Sequence, residues 1–428
     1  MNIAFYTLGC KVNQYETEVM REAFESKGHT VVNDSMPFDV IIINSCTVTA
    51  ESDRKTRQAV HRFKRQNPNA VIVLTGCMAQ AFSEDAKALT DADIVIGNTD
   101  VSKIYEKVCE YNNNRIFEVI PHPRDELFNT PSISSFAERT RAYMKIQDGC
   151  DRFCTYCIIP TARGWLRSKP IAEITAEAEK LANNGYIEAV LVGINLTSYG
   201  KETGGEISIC DAVEAVATVE GIKRIRLGSL EPDHITDEML SRLKTVDKFC
   251  PQFHLSLQSG CDATLKRMNR HYDTAFYRDL VERIRKVFPD SAITTDIMVG
   301  FAGETEEEFK SSINFAREIG FAKAHVFAYS RRAGTMACNM PNQVTRAEKS
   351  RRSHLMIEAT AETEADFIKS YIGKTVEVLF ETMENAYAVG YTKNYLYVKV
   401  KSDTAHTGEL FNVKITDCEK EFAIGEII

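Results

Sequence analysis

The chain has 428 residues, enough for two or three domains, and its 44% hydrophobic and 26% charged content is that of a soluble globular protein. The net charge of −8 argues against a protein whose main task is to coat nucleic acid, because such proteins are basic; a local patch that grips RNA is compatible with it. The opening MNIAFYTLGC lacks a basic segment followed by an apolar core, and the longest apolar runs, such as Val40–Ile43 and Val71–Leu74, are strand-sized rather than the ~20 residues that span a bilayer. A cytoplasmic location with no membrane partner is therefore expected, and the twelve cysteines are not read as disulfides.

The first ~130 residues alternate apolar runs with helical patterns. Strands are predicted at Ile3–Thr7, Asp39–Asn44, Ala70–Thr75 and Ile94–Ile96, and helices at Glu16–Lys27, Ser52–Gln66 and Gln80–Leu89. Gly28 and Asn67-Pro68 mark two helix ends. This pattern predicts an α/β unit with a mostly parallel, flavodoxin-like sheet, here taken as residues 1–130. Residues 119–140 are rich in Pro and Ser, lack periodicity and read as a linker.

A second alternation spans residues 136–368. Strands are predicted near Tyr143–Gln147, Glu188–Ile194, Arg224–Gly228, Phe253–Leu257, Ile293–Val299 and Ala324–Tyr329, with helices such as Ala172–Asn183, Thr274–Phe288 and Glu306–Ile319 between them. Six β/α units are too few to close an eightfold barrel, so an open (β/α)6 partial TIM barrel is expected. A charged helix over about Thr345–Ser370 follows. Residues 370–428 then carry short alternating strands, at Thr375–Phe380, Ala386–Tyr391, Leu396–Lys401 and Phe411–Thr416, which predict a small all-β barrel.

The sharpest local signal is Cys150-x3-Cys154-x2-Cys157, just past the first strand of the partial barrel. Three thiolates on one short loop suit three irons of a 4Fe-4S cluster and leave the fourth iron open for a substrate. A structural zinc site would want a fourth Cys or His, and none lies within the next thirty residues. A second triad is dispersed. Cys10, Cys46 and Cys77 each sit just past the carboxyl end of a predicted strand, where an open parallel sheet binds its ligands. Each follows a small residue (Gly9, Ser45, Gly76) that lets the backbone approach a bulky cofactor. The alternative is three coincidental core cysteines. Cys109, Cys210, Cys250, Cys261, Cys338 and Cys418 have no ligand spacing.

The triplet, with Tyr156 before its last cysteine and six β/α units after it, resembles the radical S-adenosylmethionine (SAM) superfamily. Together with the second triad and the β-module, the whole chain resembles the methylthiotransferases, whose three parts are an N-terminal domain, a radical SAM core and an RNA-binding TRAM domain. The resemblance implies two 4Fe-4S clusters, SAM, a tRNA anticodon stem-loop as substrate, and an electron donor such as flavodoxin or ferredoxin. One SAM would methylate a sulfur carried at the auxiliary cluster on Cys10, Cys46 and Cys77. A second, at Cys150, Cys154 and Cys157, would be reductively cleaved to open the C–H bond at carbon 2 of the adenine.

The segment Thr7-Leu8-Gly9-Cys10-Lys11-Val12-Asn13-Gln14 resembles the branch that acts on N6-threonylcarbamoyladenosine, as does Cys157 through Gly164. The isopentenyladenosine branch usually reads Phe-Gly-Cys-Gln-Met-Asn at the first cysteine, and the branch that modifies a ribosomal-protein aspartate reads Gly-Cys-Pro-Lys-Asn. Gly193, Asn195, Ser229, Glu231 and Gln258, at or just after strand ends, are the candidate SAM contacts; the superfamily's usual glutamate is absent beside Gly193. Arg267, Arg270, Arg331 and Arg332 are candidates to meet RNA phosphates or the SAM carboxylate, against the alternative of solvated surface arginine. The β-module carries six lysines, no arginine and nine acids over residues 371–428, a net −3, so RNA recognition there is expected to rest on stacking by tyrosines such as Tyr391 and Tyr397, against the alternative of strand packing.

Overall fold

The computed structural model describes residues 1–136, 140–402 and 406–428; residues 137–139, at the end of the expected linker, lie outside that description. Six strands form the first sheet: β1 (Asn2–Thr7), β2 (Thr30–Val32), β3 (Val40–Ser45), β4 (Val71–Gly76), β5 (Ile94–Ile96) and β6 (Ile116–Glu118). Their order is β2-β1-β3-β4-β5-β6, and every pairing is parallel. This is the flavodoxin order 2-1-3-4-5 with one strand added, and its topological switch lies between β1 and β3. The strand β3, VIIINS, is buried along its whole length, as a central parallel strand covered on both faces must be. The edge strands β2 and β6 have no counterpart in the sequence prediction, because three-residue, partly exposed strands carry no apolar run.

Two helix boundaries differ from expectation. Helix α1 (Lys11–Glu25) starts directly after Cys10, its N-cap, rather than at Glu16. The predicted helix Gln80–Leu89 is broken at Phe82, whose φ of −127° and ψ of 59° are not helical, into α3 (Cys77–Ala81) and a second short helix, Ser83–Ala88. Between them in sequence, α2 (Ala50–Gln66) is started by Thr49, which accepts from the Ser52 amide.

The second block has six long strands: β7 (Arg141–Lys145), β10 (Glu188–Val192), β11 (Arg224–Leu227), β13 (Gln252–Leu255), β14 (Ala292–Val299) and β15 (Lys323–Ala328). Short strands β8 (Gln147–Asp148), β9 (Arg167–Ser168) and β12 (Ser229–Leu230) are interposed. The long strands form two parallel sheets, β11-β10-β7 and β12-β13-β14-β15, which meet where β11 runs on into β12 and at an Ile225–Phe249 bridge; among the described residues the end strands β7 and β15 do not pair, so the barrel is open. Helix Glu306–Ile319 shows how local chemistry sets a boundary: Thr305 and Glu308 form a reciprocal capping box, and Gly320 ends the helix in the left-handed region. The charged helix Arg346–Lys369 leads to β16 (Thr375–Glu384), β17 (Tyr387–Thr392), β18 (Tyr397–Lys401), β19 (Leu410–Cys418) and β20 (Ala423–Ile427), which close as the barrel β16-β17-β18-β20-β19. Its fifth strand follows a tight turn near the carboxyl end and was not expected from sequence.

Two buried networks fix the blocks against each other. On the first block, Glu16 from α1 meets Arg163 and Lys145 of the second; Lys145 Nζ is 2.7 Å from Glu16 and 2.6 Å from Asp148. On the other side, Arg224 donates to the Tyr391 carbonyl at 3.0 Å and Arg226 to the Lys393 carbonyl at 2.9 Å, which docks the β17–β18 hairpin on the partial barrel. Among the described residues no helix is long and apolar enough to cross a membrane.

Candidate active site

The parallel registers Thr7–Asn44 and Ser45–Gly76 bring the carboxyl ends of β1, β3 and β4 level, so Cys10, Cys46 and Cys77 meet at one sheet edge beside the topological switch. Gly76 is demanded by the backbone itself: φ is +90°, and a Cβ would stand 2.5 Å from Asn44 Oδ1 and the Ser45 carbonyl. A Cβ on Gly9 would stand 3.0 Å from that of Cys46, so the first two thiols share one small space. Asn13 ties the loops together. Its amide donates to Asn44 Oδ1 (3.1 Å) and the Ser45 carbonyl (3.0 Å), and its oxygen accepts from Cys10 Sγ at 3.4 Å. Burial pushes the Cys77 thiol up to about 12 and raises Cys46 as well, with each further disfavoured by its neighbouring thiols. Cys77 also receives a hydrogen bond at 3.2 Å from Nε of Arg163, which is fully buried. Three soft donors at one edge, with a cation aimed at one sulfur, fit an iron–sulfur cluster.

Arg163 belongs to the short helix Ile159–Arg163 that directly follows Cys157, so one residue links the second triad to the first. On its loop, Gly149 has φ +72°, and a Cβ there would strike the Trp165 carbonyl at 1.7 Å. The Cys157 amide donates to the Cys154 carbonyl (3.0 Å), folding the triplet into a tight turn. Cys150, Cys154 and Cys157 are half-buried and line one cavity of about 280 Å³ with Phe153, Trp165 and Met336. Burial pushes Cys150 and Cys157 up to about 12, a cost that a bound metal removes by taking the thiolate directly. Among the described residues no three Cys, His, Asp or Glu side chains are grouped to hold a single metal ion. Ligands of a cluster bind separate irons and need only border a common volume, as this triplet does.

Around the triplet the structure gathers charged groups. Arg270 donates to Cys154 Sγ at 3.2 Å and to the Ser256 carbonyl at 3.2 Å, and pairs with Glu231. Burial raises the Glu231 pKa despite that partner. Arg152 pairs with Asp233 (2.6 Å) and meets His234 Nε2 at 3.0 Å; burial pushes His234 down to about 4. The Asn195 amide lies 4.0 Å from Cys150 Sγ. Gln258 is buried at φ +66°, with its backbone bridging to Asp296 and Met298.

A larger cavity of about 850 Å³ lies between the three blocks. Cys10 and Lys11 line it from the first, Gly193, Ser229, His254 and Asp296 from the partial barrel, and Tyr391, Tyr395 and Tyr397 from the β-barrel. Tyr391 stacks on Tyr395 (4.5 Å, 16°) and on Tyr397 (5.0 Å, 29°), forming an aromatic wall beneath Arg141. The candidate RNA arginines separate. Arg332 is buried and bridges to Asp53 and to Thr47 Oγ1 (2.7 Å) in the first block, and the side chain of Arg270, 4% exposed, serves the triplet, so both guanidinium groups are engaged inside the protein. Arg267 is partly exposed and bidentate on Glu308, and Arg331 is exposed, donating to the Cys338 carbonyl at 2.7 Å.

Three family models match in succession: the uncharacterised protein family UPF0004 over residues 2–97, the radical SAM superfamily over 144–316 and the TRAM domain over 369–428. The chain is 39% identical to the threonylcarbamoyladenosine tRNA methylthiotransferase MtaB of Bacillus subtilis, across 100% of this chain and 96% of that protein. It is 36% identical to the MtaB of Thermotoga maritima, across 98% and 95%. The chain belongs to the methylthiotransferase family. Within that family it is also 34% identical to the tRNA-2-methylthio-N(6)-dimethylallyladenosine synthase of Clostridium perfringens, across 99% and 96%. Among solved structures, the radical SAM methyltransferase TsrM from Kitasatospora setae shares the fold, with a TM-score of 0.58 at 13% identity over 79% of this chain and 77% of that one.

In this methylthiotransferase several site groups were missed by sequence reasoning. Arg152 lies within the triplet itself, whereas Asp233, which pairs with Arg152, and Tyr272, whose hydroxyl accepts from Arg270 Nε at 3.0 Å, carry no motif spacing and reach the triplet through tertiary folding. Lys11 and Arg163 lie inside the quoted segments, where the fact that each directly follows or closes a cysteine motif was the available signal. The paired cavity groups His254 and Asp296 (3.2 Å) lie on neighbouring strands β13 and β14, Asp296 two residues beyond Thr294, the register partner of His254, which only the sheet register discloses.

Proposed function

We propose that this chain methylthiolates carbon 2 of N6-threonylcarbamoyladenosine, 3′ of the anticodon in tRNA, acting as a radical SAM transferase. The observation that carries this reading is a pair of cysteine triads tied together by Arg163, one bordering the large cavity through Cys10 and the other lining a cavity of its own, with a TRAM barrel contributing a wall of the large cavity. The full-length likeness to enzymes named for that nucleoside supports the substrate.

When bound, the two 4Fe-4S clusters and SAM supply one-electron cleavage of SAM and a site for the sulfur that is transferred. The residues do the rest. Cys150, Cys154 and Cys157 hold the cluster that meets SAM, and Cys10, Cys46 and Cys77 hold the auxiliary one. Gly193, Asn195, Ser229, Glu231 and Gln258 border the SAM position. Arg270 bonds Cys154 while holding Glu231, so it orients a ligand and a SAM contact together. Tyr391 and Tyr397 offer a face on which an unpaired base can stack, and the exposed Arg331 is the arginine best placed to meet a phosphate. We read residues 1–130, 136–368 and 370–428 as the auxiliary-cluster, radical SAM and RNA-binding domains. On this reading the enzyme takes electrons from a donor such as flavodoxin or ferredoxin and works in the cytoplasm with its tRNA.

Mass spectrometry of tRNA nucleosides from cells with and without the gene tests this. Loss of the methylthio form of threonylcarbamoyladenosine, with its unthiolated form accumulating, is expected. Loss of methylthio-isopentenyladenosine instead would retain the chemistry and overturn the substrate.

A further inference from the structure

The first turn of α1 opens on the large cavity: Gly9, Cys10, Lys11 and Val12 all line it. Cys10, as N-cap, makes no side-chain cap bond, and the first turn has no acidic residue, so the only negative charge the chain can bring to this helix end is the Cys10 thiolate. A lysine is the wrong residue there on helix grounds, since cations are disfavoured at a helix N-terminus. Lys11 nevertheless occupies the first helical position. Among the described residues its ammonium forms no ion pair, and it stands 5.7 Å from the centre of the Tyr143 ring.

The cations beside it are already matched. Glu188 is shared by Arg141 (3.9 Å), Arg224 (3.7 Å) and Arg226 (2.8 Å), and Glu381 takes Arg141 at 2.8 Å. Two of the cavity's three acids are matched as well, Asp296 by His254 at 3.2 Å and Glu364 by Lys323 at 2.9 Å; the third, Glu421, is an exposed residue of the β-barrel. Lys11 is thus the cation left over on this wall, between Tyr143, Tyr395 and His325.

We propose that Lys11 reads the α-carboxylate of the threonylcarbamoyl group and is a specificity-determining residue of this enzyme. The inference rests on the substrate reading above. That carboxylate is the one negative charge on the modified base, and a dimethylallyl substituent has no counterpart to it. Because Lys11 adjoins Cys10, a carboxylate held there tethers the adenine beside the auxiliary triad, where the methylthio group must arrive.

The test uses anaerobically reconstituted holoenzyme and synthetic anticodon stem-loops carrying threonylcarbamoyladenosine, its carboxylate methyl ester, or isopentenyladenosine. The dissociation constant of each is measured for wild type, K11Q and K11R. Wild type is expected to bind the acid about ten- to a hundredfold more tightly than the ester, the scale of one charge-assisted hydrogen bond. K11Q is expected to bring that ratio close to one, and K11R to keep most of it. Equal binding of acid and ester by wild type overturns the proposal without recourse to any variant, and would assign Lys11 to neutralising the auxiliary cluster alone. Retention of the full acid preference by K11Q overturns it too. A wild type that binds the isopentenyl stem-loop in preference to the threonylcarbamoyl one refutes the substrate reading itself, a separate result.

Discussion

The two cysteine triads reach similar chemistry by opposite routes. Cys150, Cys154 and Cys157 lie within eight consecutive residues and are half-buried in a small cavity of their own. Cys10, Cys46 and Cys77 are gathered from three strand ends by the register of a parallel sheet, with Cys46 and Cys77 buried and Cys10 exposed. A loop triad can be built on almost any scaffold and leaves one side open to a small cofactor. A sheet-edge triad depends on the whole domain being folded, and in return it can be held by groups from a second domain. Arg163 is that hold, because it comes from the loop triad's own helix and ends on Cys77.

The largest effects should follow from breaking each triad separately. C154A is expected to lower 5′-deoxyadenosine formation by about three orders of magnitude or more, the scale of losing an essential catalytic group. C77A is expected to be the informative opposite: SAM cleavage continues while methylthio transfer disappears. Iron per chain should fall from about eight to about four in either variant. Loss of SAM cleavage in C77A as great as in C154A would mean that the triads are not independent sites.

The same contrast explains what sequence disclosed. The loop triad is legible as spacing alone, because three ligands on one turn leave their mark within eight residues. The sheet-edge triad is legible only after strands are assigned, and it was, because VIIIN and AVIVLT are apolar runs too regular to miss. What binds the triads to each other is not legible. Arg163 follows a cysteine motif like many arginines, and nothing in the chain before it announces that Glu16, over a hundred residues away, will be its partner. The RNA-facing arginines show the converse failure. Arg270 and Arg332 have the composition of a phosphate-binding surface, but burial against Glu231 and Asp53 makes them internal fasteners. Sequence counts charges and cannot pair them.

Removing the fastener between the triads should come next in size. R163Q leaves Glu16 and Asp148 buried with Lys145 as their main remaining partner, and breaking such a network by deleting one ion costs about 3–5 kcal/mol. Chemical denaturation of the apo-protein measures this. The hydrogen bond to Cys77 disappears with it, so the reduction potential of the auxiliary cluster should become more negative, as loss of donors to ligand sulfur predicts, while that of the loop cluster stays in place. Equal shifts of both potentials in an electron paramagnetic resonance titration would show that Arg163 acts on overall packing rather than on Cys77.

The smallest effect concerns pH, and its sign follows from the same network. Burial alone would raise the carboxyls of Glu16 and Asp148; Arg163 and Lys145 for Glu16, and Lys145, Arg163 and Arg167 for Asp148, outweigh it and hold both below the ordinary carboxylate range. A carboxyl whose folded pKa is depressed contributes stability that is complete above its unfolded pKa, near 4, and is lost as pH falls through the folded value. The junction between the first two blocks should therefore be indifferent to pH between about 8 and 5 and weaken below about 4. Trp165, the single tryptophan, accepts from Arg167 through its carbonyl at 3.1 Å and so reports from this junction by fluorescence. E16Q should be less stable than wild type at pH 7 by about 2–3 kcal/mol, and the gap should close as the pH falls toward 3, because the wild-type carboxylate is then being neutralised too. A gap that persisted undiminished at pH 3 would show that the loss in E16Q comes from altered packing, and that the charge on Glu16 does not join the two triads.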